Sequence, residues 1–429
     1  KQYEFINASI VEKINGDKIN FDINISESDK FYIEKVNIKG NFNTLEEVVR
    51  NNLIVDEGDP FNEILFNKSI NNIQSLGIFK KVKTDVRDGS NESLKEIDID
   101  VEERPTGEIS LTAGFGTTGE TIGAGIKENN FLGKGIKLNT NLELTSDSIK
   151  GQFIYAKPNF NYSDNTLFTS LKSSTTDLLK NSGYKTSEIG FSLGTEYEQF
   201  QNIFLSPEID FLIEDLETSD KASTILKKQE GSYTDLYFNY SINQDLRDKK
   251  FRTESGYVTT FSQELPLMSD NSEFSNAFTI TNYKKLSSTS DMVGKMSFFG
   301  KTITGLSDDV RISKRLNVPS SRLRGFQRGK VGPVENNDYI GGNHVTSLNL
   351  SATLPNILEG LDNLDVGIFL DAANIWGVDY DSSLDDKSTI RTSTGVAFNL
   401  LTPIGPLSFS FANALTKAST DKTETFRFR

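Results

Sequence analysis

Between Arg322 and Pro333 the sequence RLRGFQRGKVGP sets Arg322, Arg324, Arg328 and Lys330 among Gly325, Gly329 and Gly332. A guanidinium forks onto a carboxylate or phosphate through two parallel hydrogen bonds, which is what clustered arginines do best. The chain around them is acidic, with 46 Lys and Arg against 60 Asp and Glu and a net charge of -14. Nucleic acid as a partner needs a basic face, and this balance argues against it. Taken alone, the stretch reads as a surface loop with solvated charges whose glycines permit sharp turns.

Other candidates for chemistry are weaker. GFGTTG, from Gly114 to Gly119, matches a dinucleotide pattern, but that motif requires a strand before it and a helix after it. Here TIGAGIKENN follows and alternates like another strand. DYDSSLDDK, from Asp379, resembles a calcium loop, yet the positions that need glycine and glutamate hold Leu384 and Ile390. The chain has no cysteine and one histidine, His344, so disulfides, thiolate metal sites and multi-histidine sites are excluded. No nucleophile, base and orienting acid stand together, and no phosphate loop carries its lysine. The sequence points to no enzyme and to no cofactor or metal.

The elements around the basic stretch fall into two regions. In the first, FYIEKVNIKGN reads as a strand, and TLEEVVRNNL spaces Leu45, Val48, Val49 and Leu53 as a helix does. A second helix is predicted to start at Pro60 and to end at Gly77. KKVKTDV and LKEIDIDVEE then alternate as strands. The order is strand, helix, helix, strand, strand over residues 31–105. Residues 1–30 hold two more strand-like pieces, read as the tail of a preceding unit of the same kind. The first residue is Lys1, so the sequence is taken as a processed or truncated piece and a missing leader carries no meaning.

From residue 106 to 429 the helical period is gone. Ile136, Leu138, Thr140, Leu142 and Leu144 point one way while Lys137, Asn139, Asn141 and Glu143 point the other. Leu236, Phe238, Tyr240 and Ile242 share a face opposite Asp235, Asn239 and Asn243. A soluble sheet would bury its apolar face in a core, whereas a membrane barrel turns that face to lipid and its polar face to a wet lumen. No helix is available to cover so large a sheet, and closure removes its edges. The expected fold is therefore mainly β, a transmembrane antiparallel barrel of about 16 strands preceded by an α+β domain.

Leu323-Arg324-Gly325-Phe326, the later Gly341-Gly342-Asn343, and the strand GIFLDAANIW come in a fixed order. Together with the βααββ unit and SLGIFKKV they resemble the BamA-type outer-membrane assembly proteins, whose relatives include TamA, FhaC and Sam50. The resemblance covers essentially the whole chain. It implies that residues 31–105 form the last POTRA domain and that residues 106–429 form the barrel. It also implies that a loop near 314–340 folds back into the lumen, with Arg324 held by the inner wall. Because Val366, Ile368 and Leu370 would face lipid, Asp371 faces inward and is the expected partner. A second family acid falls at Ser351, which carries no charge and leaves the tether more dependent on Asp371.

The resemblance further implies a lateral seam between the first and last strands, with Ile109, Leu111, Gly114 and Gly116 on one side and Phe426 and Phe428 on the other. Glycines weaken side-chain packing and register in the first strand. The last strand stops at FRFR, shorter than the family pattern, which lowers the cost of opening. The implied activity is insertion of unfolded outer-membrane clients, received by POTRA strand addition and paired at the seam. The implied partners are those clients, accessory lipoproteins, periplasmic chaperones and the lipid bilayer of a Gram-negative outer membrane. The alternatives are a FhaC-like secretion pore and a TamA-like assembly protein.

Overall fold

Two periodicities, 3.6 in the first hundred residues and 2 thereafter, become two kinds of structure. The computed structural model describes residues 6–15, 18–27, 30–116, 119–250, 252–288, 292–354, 363–384, 389–402 and 405–428. The chain divides into two compact units. One comprises 1–109 with 126–139 and 155–163, and the other comprises 110–125, 140–154 and 164–429.

In the first unit, β1 (Ile6–Asn15) and β2 (Lys18–Glu27) form an antiparallel hairpin. Then follow β3 (Tyr32–Lys39), α1 (Glu46–Arg50), α2 (Glu63–Ser75), β4 (Phe79–Asp88) and β5 (Leu94–Glu103). The sheet order is β3-β5-β4, with β5 parallel to β3 and antiparallel to β4. Val36, Ile97 and Ile99 from the sheet meet Val49, Phe66 and Ile73 from the helices in one buried core. The second helix starts later than Pro60 suggests. Asn62 is its cap, its side chain accepting a hydrogen bond from Leu65 N–H, while Pro60 bridges to Tyr32. Gly77 closes the helix with φ of +69°.

The remaining strands are β6 (Gly107–Gly116), β7 (Gly119–Phe131), β8 (Ile136–Thr145), β9 (Ser148–Lys157), β10 (Thr166–Asp177), β11 (Tyr184–Phe200) and β12 (Ile203–Thr218). A short helix α3 (Thr224–Lys227) leads to β13 (Gly231–Asp245), β14 (Gly256–Ser269), β15 (Glu273–Lys285) and β16 (Val293–Gly305). A long loop follows, carrying the two-residue strands β17 (Val334–Glu335) and β18 (Asp338–Tyr339). After it come β19 (His344–Thr353), β20 (Leu364–Trp376), β21 (Arg391–Thr402), β22 (Gly405–Thr416) and β23 (Phe426–Phe428).

Sixteen of these strands make one sheet, running from β6 to β16 in sequence order and then β19 to β23. The sheet is nearly closed into an antiparallel barrel. Alternation along β20 is explicit: Phe369, Asp371, Ala373 and Ile375 are buried, whereas Ile368 and Leu370 are exposed. Leu348 and Leu350 of β19 and Phe298 of β16 extend the same outward apolar face. Such a wall is stable only with lipid or amphiphile against it. At the end of the β19–β20 pair, His344 lies opposite Trp376, with ring centroids 5.4 Å apart.

Purified chain is expected to stay monodisperse only in amphiphile and to run faster in SDS gels before heating than after. Equal mobility, with solubility in plain buffer, would overturn the barrel.

Candidate functional site

The basic loop, residues 306–343, enters the barrel instead of standing in solvent. Its apolar residues Val310, Leu316, Val318, Leu323, Phe326 and Val331 share a core with wall residues Ile303, Val345, Ala373 and Ile375. Because Ala373 and Ile375 are inward-facing, the loop lies on the lumenal side.

Arg324 meets Asp371 there. Its Nε donates to Asp371 Oδ2 at 2.7 Å, its Nη2 to Oδ1 at 2.7 Å, and its backbone N–H to Oδ2 at 3.1 Å. The guanidinium also lies 3.4 Å from the centroid of the Phe369 ring. Asp371 is fully buried. Asn349, directly opposite it on β19, donates from Nδ2 to its Oδ1 at 2.9 Å and to Arg322 O at 2.7 Å. The neutral second partner is thus Asn349. Ser351 lies two residues further along, opposite Phe369, and none of the contacts among the described residues joins it to the loop. Counting from Gly341-Gly342-Asn343 overshoots by one inward position. Gly325 has φ of +84°, and a Cβ there would sit 3.2 Å from Ala412 Cβ, so glycine answers both backbone and space.

Phe326 ties the loop to the end of the chain. It bridges Thr423, Glu424 N–H donates to Gly325 O at 3.0 Å, and Gln327 N–H donates to Lys422 O at 2.9 Å. Lys422 N–H donates to Lys330 O at 3.0 Å. The Arg427 guanidinium donates to the carbonyls of Ser320 and Phe326.

The seam residues lie at the two ends of the sheet. Ile109 and Leu111 of β6 are 78% and 84% exposed, as expected of an edge strand with no covering neighbour. Gly114 and Gly116 belong to the same strand. β23 holds β22 through Phe409–Phe428, Ser410–Arg427 and Phe411–Phe426. Phe428 stacks on Phe409 with centroids 5.0 Å apart, and Phe426 packs tilted against Phe411 at 5.1 Å. Among the described residues no ladder joins β6 to β23.

Sequence reasoning missed three further arginines. Arg311 is fully buried, and its guanidinium reaches Glu214 of β12 at 3.1 Å, Asp235 of β13 at 2.6 Å and Glu273 of β15 at 3.2 Å. Arg315 pairs with Asp379 and donates to Asn343 Oδ1 at 3.1 Å. Arg391 of β21 pairs with Asp421 at 2.9 Å. The alternation of β13 already puts Asp235 on the polar face, but nothing local names its cation.

This is the arrangement of an outer-membrane barrel with a loop tethered in its lumen, preceded by a βααββ module. The Omp85 superfamily domain matches residues 130–429, and the POTRA family, described as a surface antigen variable number repeat, matches 31–104. The chain belongs to the Omp85 superfamily and is of the BamA type, with its barrel in an outer membrane and its POTRA domain on the periplasmic side. It is 24% identical to the outer membrane protein assembly factor BamA of Neisseria meningitidis serogroup B, over 100% of this chain and 60% of that one. For BamA of Neorickettsia risticii the identity is 24%, over 96% and 56%. The chain thus spans less than two thirds of the length of these relatives. The crystal structure of BamA from Haemophilus ducreyi lacking POTRA domains 1–3 superposes with a TM-score of 0.80 at 22% identity, covering 100% of this chain and 89% of that one. CdiB from Acinetobacter baumannii superposes with a TM-score of 0.56 at 13% identity, covering 98% and 76%.

Arg311→Met leaves three carboxylates buried without their cation, and it is expected to cost about 3–5 kcal/mol. Urea unfolding of the folded barrel in micelles measures this, and a loss below about 1 kcal/mol would mean the cluster is effectively solvated.

Proposed function

We propose that this chain inserts outer-membrane β-barrel clients by offering its free sheet edges as templates. The observation that carries the reading is the junction of β6 with β23, where no ladder forms among the described residues and β6 is exposed along its length. An unpaired backbone group costs several kcal/mol in lipid, so an incoming strand gains most where a prepared edge supplies partners. Gly114 and Gly116 loosen the β6 side of that edge. No nucleotide is required, because the gain in backbone pairing drives the step.

The POTRA sheet has its own edges, β3 and β4, which would accept extended client segments, chaperones or accessory lipoproteins by strand addition. We assign residues 1–30 to the end of a preceding POTRA unit. In the β1–β2 hairpin, Ile10, Ile14, Ile19, Phe21, Ile23 and Ile25 share one face and are each more than half exposed, which suits a sheet awaiting its helices. A FhaC-like pore would first have to expel the loop from the lumen against the Arg324–Asp371 and Arg311 contacts. The TamA-like reading shares the insertion step.

Liposomes carrying the chain are expected to fold a denatured barrel client faster than empty liposomes. Asp371→Ala, which frees Arg324, is expected to slow that rate about tenfold, the equivalent of about 1.4 kcal/mol. Unchanged kinetics from a folded Asp371→Ala barrel would count against a role for the tether. No acceleration by the unaltered chain would remove the proposed activity.

A further inference from the structure

The outward wall of the barrel is hollowed where β15, β16, β19 and β20 run side by side. One row of facing residues across these strands reads Lys284, Gly294, Ala352 and Ile368. Lys284 shares the parity of Phe278, whose ring packs on the outward Phe298 at 6.3 Å, so its side chain leaves the barrel on the lipid side. Glycine beside alanine gives the wall almost no side-chain thickness there. Met296, Leu350 and Leu370 of the next row stand over the gap, all exposed. Leu286 overhangs it from the end, since a Cβ at Gly294 would lie 3.0 Å from Leu286 Cδ2. The result is a groove of about 520 Å³ with an exposed lysine at its rim. Among the described residues no Asp or Glu lines it, in a chain whose net charge is -14. Counting antiparallel strands from β6, which follows the POTRA domain, β15 ends on the periplasmic side. Lys284 therefore stands at the depth of the inner leaflet's head groups.

We propose that this groove binds one anionic diacyl phospholipid of the inner leaflet, with an acyl chain over Gly294 and Ala352 and the head-group phosphate on Lys284. A flat apolar wall touches a lipid chain on one side only, so no chain gains by staying. A hollow touches it on several sides, and the dispersion contacts add. Lysine suits the rim because its stem runs along apolar surface while its ammonium stays in the head-group layer. There it attracts anionic lipid, an attraction that a carboxylate beside it would cancel, and the lining holds none among the described residues. β21 and β22 stand between the groove and β23, so the site is separate from the seam. It depends on the barrel's place in the membrane and not on the insertion reading.

The test uses the full chain in nanodiscs of equal parts phosphatidylglycerol and phosphatidylcholine. Native mass spectrometry of the released barrel counts the lipids that stay bound. Phosphatidylglycerol is expected to be retained about fivefold over phosphatidylcholine, the preference that a single lysine beside an anionic head group supports. Lys284→Gln is expected to bring that ratio down to about one. Lys134→Gln removes the same charge from the turn between β7 and β8 and is expected to leave the preference unchanged. Ala352→Leu fills the hollow from its lipid-facing side and is expected to lose most of the retention of both lipids. Equal retention of the two lipids by the unaltered chain, or a preference that survives Lys284→Gln, overturns the anionic site. An equal loss in Lys134→Gln overturns it in favour of general charge attraction. Full retention in Ala352→Leu overturns the hollow, and retention of neither lipid by the unaltered chain overturns the proposal as a whole. Ala352→Leu still decides if Lys284→Gln does not fold.

Discussion

In lipid, a backbone amide has no solvent to turn to, and everything in residues 107–428 follows from that constraint. Fifteen strand-to-strand junctions meet it by ladder pairing in one antiparallel sheet. Among the described residues the sixteenth, between β6 and β23, shows no ladder. Gly114 and Gly116 lie on the β6 side of it. Here the unmet pairing capacity is concentrated at one line on the wall, which is where a second chain would find the largest gain.

The second organising force is the burial of charge. The chain is acidic overall, yet its loop is basic, and the difference is settled inside the barrel. Glu214, Asp235 and Glu273 come from three separate strands and converge on one guanidinium. Asp371 and Asn349, paired across β19 and β20, receive another. Removing one member of such a group leaves the others buried and unpaired, which is far more costly than never having buried them. The loop therefore has discrete seats on the wall. Its arginines fix where it sits, and its apolar residues supply the contact area.

Strand parity was readable because a period of two is unforgiving. A one-residue slip would send Ile368 and Leu370 inward and Asp371 into lipid. The partner of Arg324 was named from the family resemblance, with which parity agrees; parity alone would also admit Asp365 of the same strand. What could not be read was convergence over distance. Glu214 is 97 residues from Arg311 and Asp235 is 76 away, and no spacing rule in a linear sequence brings them together. The same limit explains Ser351, where counting from a glycine motif ignored where the β19–β20 ladder begins. In the POTRA domain, Pro60 and Asn62 both carry helix-start signals, and only side-chain geometry shows that Asn62 makes the cap.

The pairing of His344 with Trp376 has a use beyond packing. The chain contains one tryptophan and one histidine, and they lie against each other where the loop rejoins the wall. Indole emission depends on what packs against the ring, so the intensity of this single fluorophore should change when the two rings part. The barrel thus carries a built-in optical gauge at the loop's far hinge, readable without a label.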